Sequence, residues 1–207
     1  MELKSFQRRV LEDLTFFLNN LQIESPELAF KKLWLERYGV DLEKETFKSF
    51  RYKSQKGIPL SACIKIPTGG GKTFVGVNAT KLILDKLPSD GINAVVWLVP
   101  SDTILKQTLE AFRNPLHPYR IKLSQLFGSV NVLSKEQLLQ GVGFNRSTVT
   151  EALTLMVLSY DSFRGKKNEL KSKRENSQLL DMSMMPSSKE TKVEDADPTS
   201  LLSLIHI

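Results

Sequence analysis

"KIPTGGGKTF", Lys65 to Phe74, sets three consecutive glycines, a lysine and a threonine directly behind a short apolar run. A nucleoside triphosphate is strongly anionic. Backbone N–H groups can be aimed at it only where no Cβ blocks the approach, which selects glycine. A helix that follows such a loop adds the positive end of its dipole and its unpaired N–H groups. Lysine then reaches the β- and γ-phosphates, and the next hydroxyl ligates Mg²⁺. Here Thr68, Gly69, Gly70 and Gly71 form the loop, Lys72 is the lysine and Thr73 the hydroxyl. Lys72 and Thr73 are the catalytic candidates, and Thr73 is the candidate Mg²⁺ ligand. One position departs from G-x-x-x-x-G-K-[ST]: Ile66 stands where the first glycine belongs. The motif by itself leaves other phosphate-loop enzymes open, small-molecule kinases and GTPases among them.

Outward from the loop, strands and helices alternate. "LSACIKI", Leu60 to Ile66, reads as a buried strand, with Cys63 in the core. A helix is expected from the Gly71–Lys72 junction to about Leu87, followed by the turn "PSDG". "INAVVWLV", Ile92 to Val99, is almost continuously apolar, which predicts a strand covered on both faces with Trp97 in the core. Ser101 opens a helix to about Phe112, "LFGSVNVL" is a third strand, Ser134 to Gln137 is a capping box, and "LTLMVLS" is a fourth strand. Upstream, Phe6, Val10, Leu14, Phe17 and Leu18 recur at helical spacing over Ser5–Asn20. Ser25–Pro26 caps a second helix, which Gly39 stops; Phe16, Phe17 and Trp34 are core candidates. Asp41 to Lys56 reads as a helix plus loop. The alternation implies an α/β fold with a mainly parallel sheet.

The bulk properties bound the function classes. The chain has 207 residues and a formal net charge of +6, which permits a polyanionic partner without requiring one. The densest basic cluster, Arg164 to Arg174, reads as a solvated loop. One cysteine excludes an internal disulfide, and with His117 and His206 it assembles no zinc site. The longest apolar run is far short of the roughly 20 residues of a spanning helix, and the charged N-terminus has no signal-peptide pattern. No membrane association and a cytoplasmic location are expected.

"PTGGGKT", with threonine ahead of the glycines, resembles motif I of the superfamily 2 DEAD/DEAH-box helicases. "SFQRRVLEDL" resembles the upstream glutamine motif, "VVWLVPSDTILKQ" motif Ia, and "LMVLSYDSFRG" the strand and turn ahead of the acidic box. The combination is most similar to the helicase (res) subunit of type III restriction enzymes, through Arg164. The resemblance implies a RecA-like domain with ATP and Mg²⁺ as cofactors and DNA as the nucleic-acid partner. It also implies an association with a modification (methyltransferase) subunit. Carried over residue by residue, it places Gln7 on the adenine edge and Pro100, Ser101, Gln107, Ser159 and Tyr160 on nucleic acid. Thr68–Thr73, Pro100–Ser101 and Ser159–Tyr160 all follow strands, so they are expected along one sheet edge.

The resemblance also shows what is expected and not found. Hydrolysis needs an apolar strand ending in Asp-Glu. No such strand follows Ser159; "VEDADP" follows Lys192–Val193 and is rejected. "LSLIHI", Leu202 to Ile207, is similar to translated read-through of a sequencing-library transposon end, so a truncated chain is expected, one that binds nucleotide without turning it over. The expected organisation is a helical N-terminal region (1–57) with the glutamine motif, a RecA-like ATP-binding domain (58–165) incomplete at its C-terminal side, and a loop or disordered tail (166–207). The alternatives are another phosphate-loop enzyme, such as a small-molecule kinase, or a non-catalytic nucleic-acid-binding module.

Overall fold

The computed structural model describes residues 1–44, 52, 60–87, 91–141, 143–160 and 204–206. The chain divides into two compact units. One comprises Met1–Pro88 with Asp197–Ile207, the other Ser89–Ala196.

The first unit is built on three helices. Helix α1 (Ser5–Leu21) sets Gln7, Leu11, Leu14 and Leu18 on one buried face, the spacing that the 3.6-residue period requires. Helix α2 (Pro26–Tyr38) begins as its sequence predicts: Ser25 accepts from the Leu28 N–H, and Pro26 occupies the first turn. It ends on Gly39 at φ 66°, a left-handed conformation that glycine reaches at no steric cost. Polar contacts join the two helices: Arg37 Nε donates to Asp13 Oδ1 at 2.7 Å, Tyr38 donates to the same carboxylate, and Arg9 lies 5.4 Å from the Tyr38 ring centroid. The hydrogen bond to Asp13, then burial, raises the Tyr38 phenol above its ordinary pKa.

Helix α3 (Lys72–Lys86) follows the glycine loop. Seven consecutive residues, Phe74 to Thr80, are buried, so the helix is enclosed around its whole circumference there. Its buried polar side chains are satisfied locally: Asn78 Nδ2 donates to Phe74 O at 2.7 Å and Thr80 Oγ1 to Gly76 O at 2.9 Å. Leu11, Leu14 and Leu18 of α1 pack with Ile66, Val75 and Ala79 in one core cluster. Phe17 is buried, whereas Phe16 and Trp34 are half-buried.

Strand β1 is shorter than its apolar run suggests, Ser61–Cys63 only, and pairs in parallel with β5 (Leu204–His206). That strand lies in the stretch read as a tail. Cys63 is exposed, not in the core, because the strand presents its faces in an exposed–half-buried–exposed order.

The second unit holds a three-stranded parallel sheet in the order β2 (Ala94–Val99), β4 (Leu153–Ser159), β3 (Val130–Leu133). The central β4 is the enclosed strand, with Leu153, Thr154, Leu155 and Val157 buried. β2, read as covered on both faces, is an edge strand of this sheet, with Val96 47% exposed. Trp97 is half-buried and packs edge-on against the buried Phe112, ring centroids 5.0 Å apart. Helix α4 (Asp102–Arg113) is capped by Ser101 as predicted. Helix α6 (Lys135–Leu139) opens on the predicted box, the Ser134 N–H donating to Gln137 Oε1 at 3.0 Å. Helices α5 (Pro118–Phe127) and α7 (Arg146–Glu151) are additional. Among the described residues the strands form two sheets, β1 with β5 in the first unit and β2-β4-β3 in the second. The rest of Asp41–Lys56, the basic cluster at Arg164–Arg174 and "VEDADP" lie outside the described residues.

Replacing Leu14, 5% exposed, by Ala removes core contacts and should cost about 2–5 kcal/mol in urea unfolding. Leu28→Ala, at a side chain 50% exposed, should stay within about 0.5 kcal/mol. Equal losses would contradict the α1–α3 core.

Candidate functional site

The glycine loop turns between Ile66 and Lys72. Gly69 and Gly71 both have positive φ, 76° and 75°, values that only glycine adopts readily. Gly70 is required for a different reason. A Cβ there would lie 2.5 Å from Ile66 Cγ2 and 2.9 Å from Pro67 O. Ile66, the departure from the motif, is therefore built into the loop: it is 5% exposed and fills the core cluster beneath it.

Gln7 closes the loop from the other side. Its side chain is 3% exposed. Nε2 donates to Gly70 O at 2.8 Å, and Oε1 accepts from the Lys4 N–H at 2.9 Å. A Cβ on Gly71 would fall 2.6 Å from Gln7 Nε2. The loop is thus held between an apolar side chain and an amide, with no room for added atoms at Gly70 or Gly71. One N–H and one acceptor lone pair of Gln7 stay outside these two bonds.

Pro67 O is a second anchor, accepting from Gly70 N at 3.0 Å and from Lys72 Nζ at 3.0 Å. Nothing in the sequence pattern marks this carbonyl. Gly71 is the N-cap of α3 and carries no side chain to bond the first-turn N–H groups, and the first turn contains no acidic residue. Thr73 is half-buried, and its hydroxyl has no hydrogen bond among the described residues. Thr68 and Gly69 are exposed.

In the second unit, β2 and β4 run parallel with Val99 opposite Ser159. Pro100–Ser101 and Tyr160 therefore leave the same end of adjacent strands. Pro100 is exposed and Tyr160 is 44% exposed. Ser101 Oγ accepts from the Ile104 N–H at 3.4 Å, an N-cap bond that leaves its hydroxyl proton available. Gln107, two turns into α4, is exposed. Ser159 is buried at 2%. The structure thus groups Pro100, Ser101 and Tyr160, while Gln7 and Thr68–Thr73 form their own cluster in the first unit.

No helix among the described residues is long and apolar enough to cross a membrane. In comparisons with known proteins, the family described as "Type III restriction enzyme, res subunit" matches residues 1–182. No curated protein and no solved structure matches. The family match spans most of the chain and covers both the glycine loop and the β2–β4 strand ends; the protein belongs to the res-subunit family of type III restriction enzymes, whose members are ATP-dependent helicases of superfamily 2.

Proposed function

We propose that this chain carries the ATP-binding part of an ATP-dependent DNA helicase or translocase of a restriction system. The observation that carries the reading is the glycine loop. It is closed to a Cβ at Gly70 and Gly71, it opens directly into α3, and it sets Lys72 and Thr73 in the first turn. These residues fit a Mg²⁺–triphosphate. First-turn N–H groups without a side-chain cap suit an anion, the lysine supplies positive charge, and the Thr73 hydroxyl is unengaged among the described residues.

When bound, Mg²⁺-ATP supplies the phosphoryl group whose hydrolysis drives the motor. The chain's own residues bind and orient it. Lys72 leaves Pro67 O to neutralise phosphate charge, and the loop N–H groups hold phosphate oxygens. Thr73 would hold the metal. Gln7 braces Gly70 and keeps one donor and one acceptor for the adenine edge. Pro100, Ser101, Gln107 and Tyr160 contact the backbone of the DNA, contacts that position the strand and read no sequence. Ser159, being buried, supports the strand end from which Tyr160 leaves rather than touching DNA. A methyltransferase subunit is the proposed partner, and the cytoplasm the proposed location.

Two outcomes test this. Lys72→Ala in a full-length parent should abolish DNA-stimulated ATP hydrolysis; retained turnover would sink the assignment. Hydrolysis indifferent to DNA would favour another phosphate-loop enzyme. In the chain itself, Gln7→Ala should weaken both ATP and GTP about fivefold or more by calorimetry, through the lost brace, with ATP losing more through the lost adenine contact. Unchanged affinity for both would remove Gln7 from the site.

A further inference from the structure

A cavity of about 380 Å³ lies against β3 in the second unit, and its lining includes none of Pro100, Ser101, Ser159 and Tyr160. Its volume is in the range of small-ligand sites, about 300–1,000 Å³. Two guanidinium groups line it, Arg113 from the end of α4 and Arg120 from α5, and no carboxylate does. Neither arginine forms an ion pair among the described residues.

Both guanidinium groups are oriented by the fold. Arg113 Nη2 donates to Val132 O at 3.3 Å and to Gln137 Oε1 at 2.5 Å. Arg120 Nη1 donates to Phe112 O at 3.4 Å. Each group keeps further N–H donors beyond these bonds. Asn131 also lines the cavity, and its side chain has no hydrogen bond among the described residues. Glu136 on α6, which interacts with Arg113, lies outside the lining. Its carboxyl is held below the ordinary range, mainly by the Ser134 hydroxyl and in lesser part by Arg113. Fixed arginine forks with spare donors and no lining acid match an oxyanion, which they can grip in two places at once.

We infer that this cavity binds phosphate, either the phosphodiester of a polynucleotide or a free phosphate ligand. The choice of phosphate over carboxylate rests on the function proposed above. It would be a second anion site, built on different residues from the glycine loop and with side-chain rather than backbone donors.

The test uses the 207-residue chain carrying Lys72→Ala, so that the glycine loop does not contribute. A fluorescein-labelled single-stranded oligonucleotide is followed by anisotropy and inorganic pyrophosphate by calorimetry. Arg113→Gln and Arg120→Gln should each weaken one or both probes about fivefold or more, while Lys81→Gln, the same charge loss in the first unit, should change neither by more than about twofold. Weakening of the oligonucleotide alone assigns the site to a nucleic-acid backbone; weakening of pyrophosphate alone assigns it to a free ligand. Unchanged binding in Arg120→Gln, or an equal effect of Lys81→Gln, overturns the inference. Arg120→Gln leaves the Arg113–Val132 bond in place, so it decides the matter if Arg113→Gln unfolds by circular dichroism. ATP binding by the chain with Lys72 intact is measured in parallel: its retention shows that only the cavity has failed, and its loss that the glycine loop has.

Discussion

The hydrogen bond from Gln7 to the carbonyl of Gly70 ties the glycine loop to the rest of the first unit. It is a single bond of 2.8 Å between residues far apart in sequence, made by a side chain with almost no solvent exposure. A buried amide must find partners or lose the solvation it had in water. Gln7 finds one at each end, in Lys4 N and Gly70 O. Ile66 presses on Gly70 from the other side. Between them the loop has one path, and the glycines at 70 and 71 follow from space as much as from dihedral freedom. The α1 face that delivers Gln7 is the same face that delivers Leu11, Leu14 and Leu18 to the core. Core stability and loop shape are therefore linked through one helix.

The second unit solves a different problem with the same economy of elements. Parallel pairing of β2 with β4 brings the two strand ends to one side. Backbone pairing sets the positions, and the side chains beyond it are left exposed at Pro100 and Tyr160. Ser101 serves the helix through an oxygen lone pair and keeps its proton, so capping and ligand contact do not compete. Arg113 shows a similar division: one nitrogen, Nη2, makes both orienting bonds, and the other donors stay outside them.

Much of this was legible in the sequence because it is local. The Ser25–Pro26 start, the Gly39 stop, the Ser101 cap, the Ser134–Gln137 box and the β4 boundaries each depend on a few adjacent residues. The glycine loop was legible for the same reason. Helix α5 was also written in its ends, with Pro118 in the first turn and Gly128 as the C-cap, but its N-cap is His117, an uncommon choice that masks the start. Helix α7 begins at Asn145, whose side chain accepts from the Thr148 N–H, a weaker signature than serine with glutamate. What depends on long-range pairing was not legible. The apolar run of β2 looks the same whether the strand is central or at an edge, and its neighbour is chosen by residues some sixty positions away. Cys63 looks like core until its strand proves short and open. Ile66 reads as a lost glycine and is instead a packing element of the loop.

The central claim is that residues 66–74 hold the triphosphate of ATP. Amide hydrogen exchange of the chain with and without Mg²⁺-ATP tests it at the place where it is made. The account predicts slowed exchange at Gly69–Thr73 and in the first turn of α3, with a matching change at the N-terminal turn of α1 through Gln7. Unaltered exchange across this segment at saturating nucleotide, or protection confined to other parts of the chain, would contradict it.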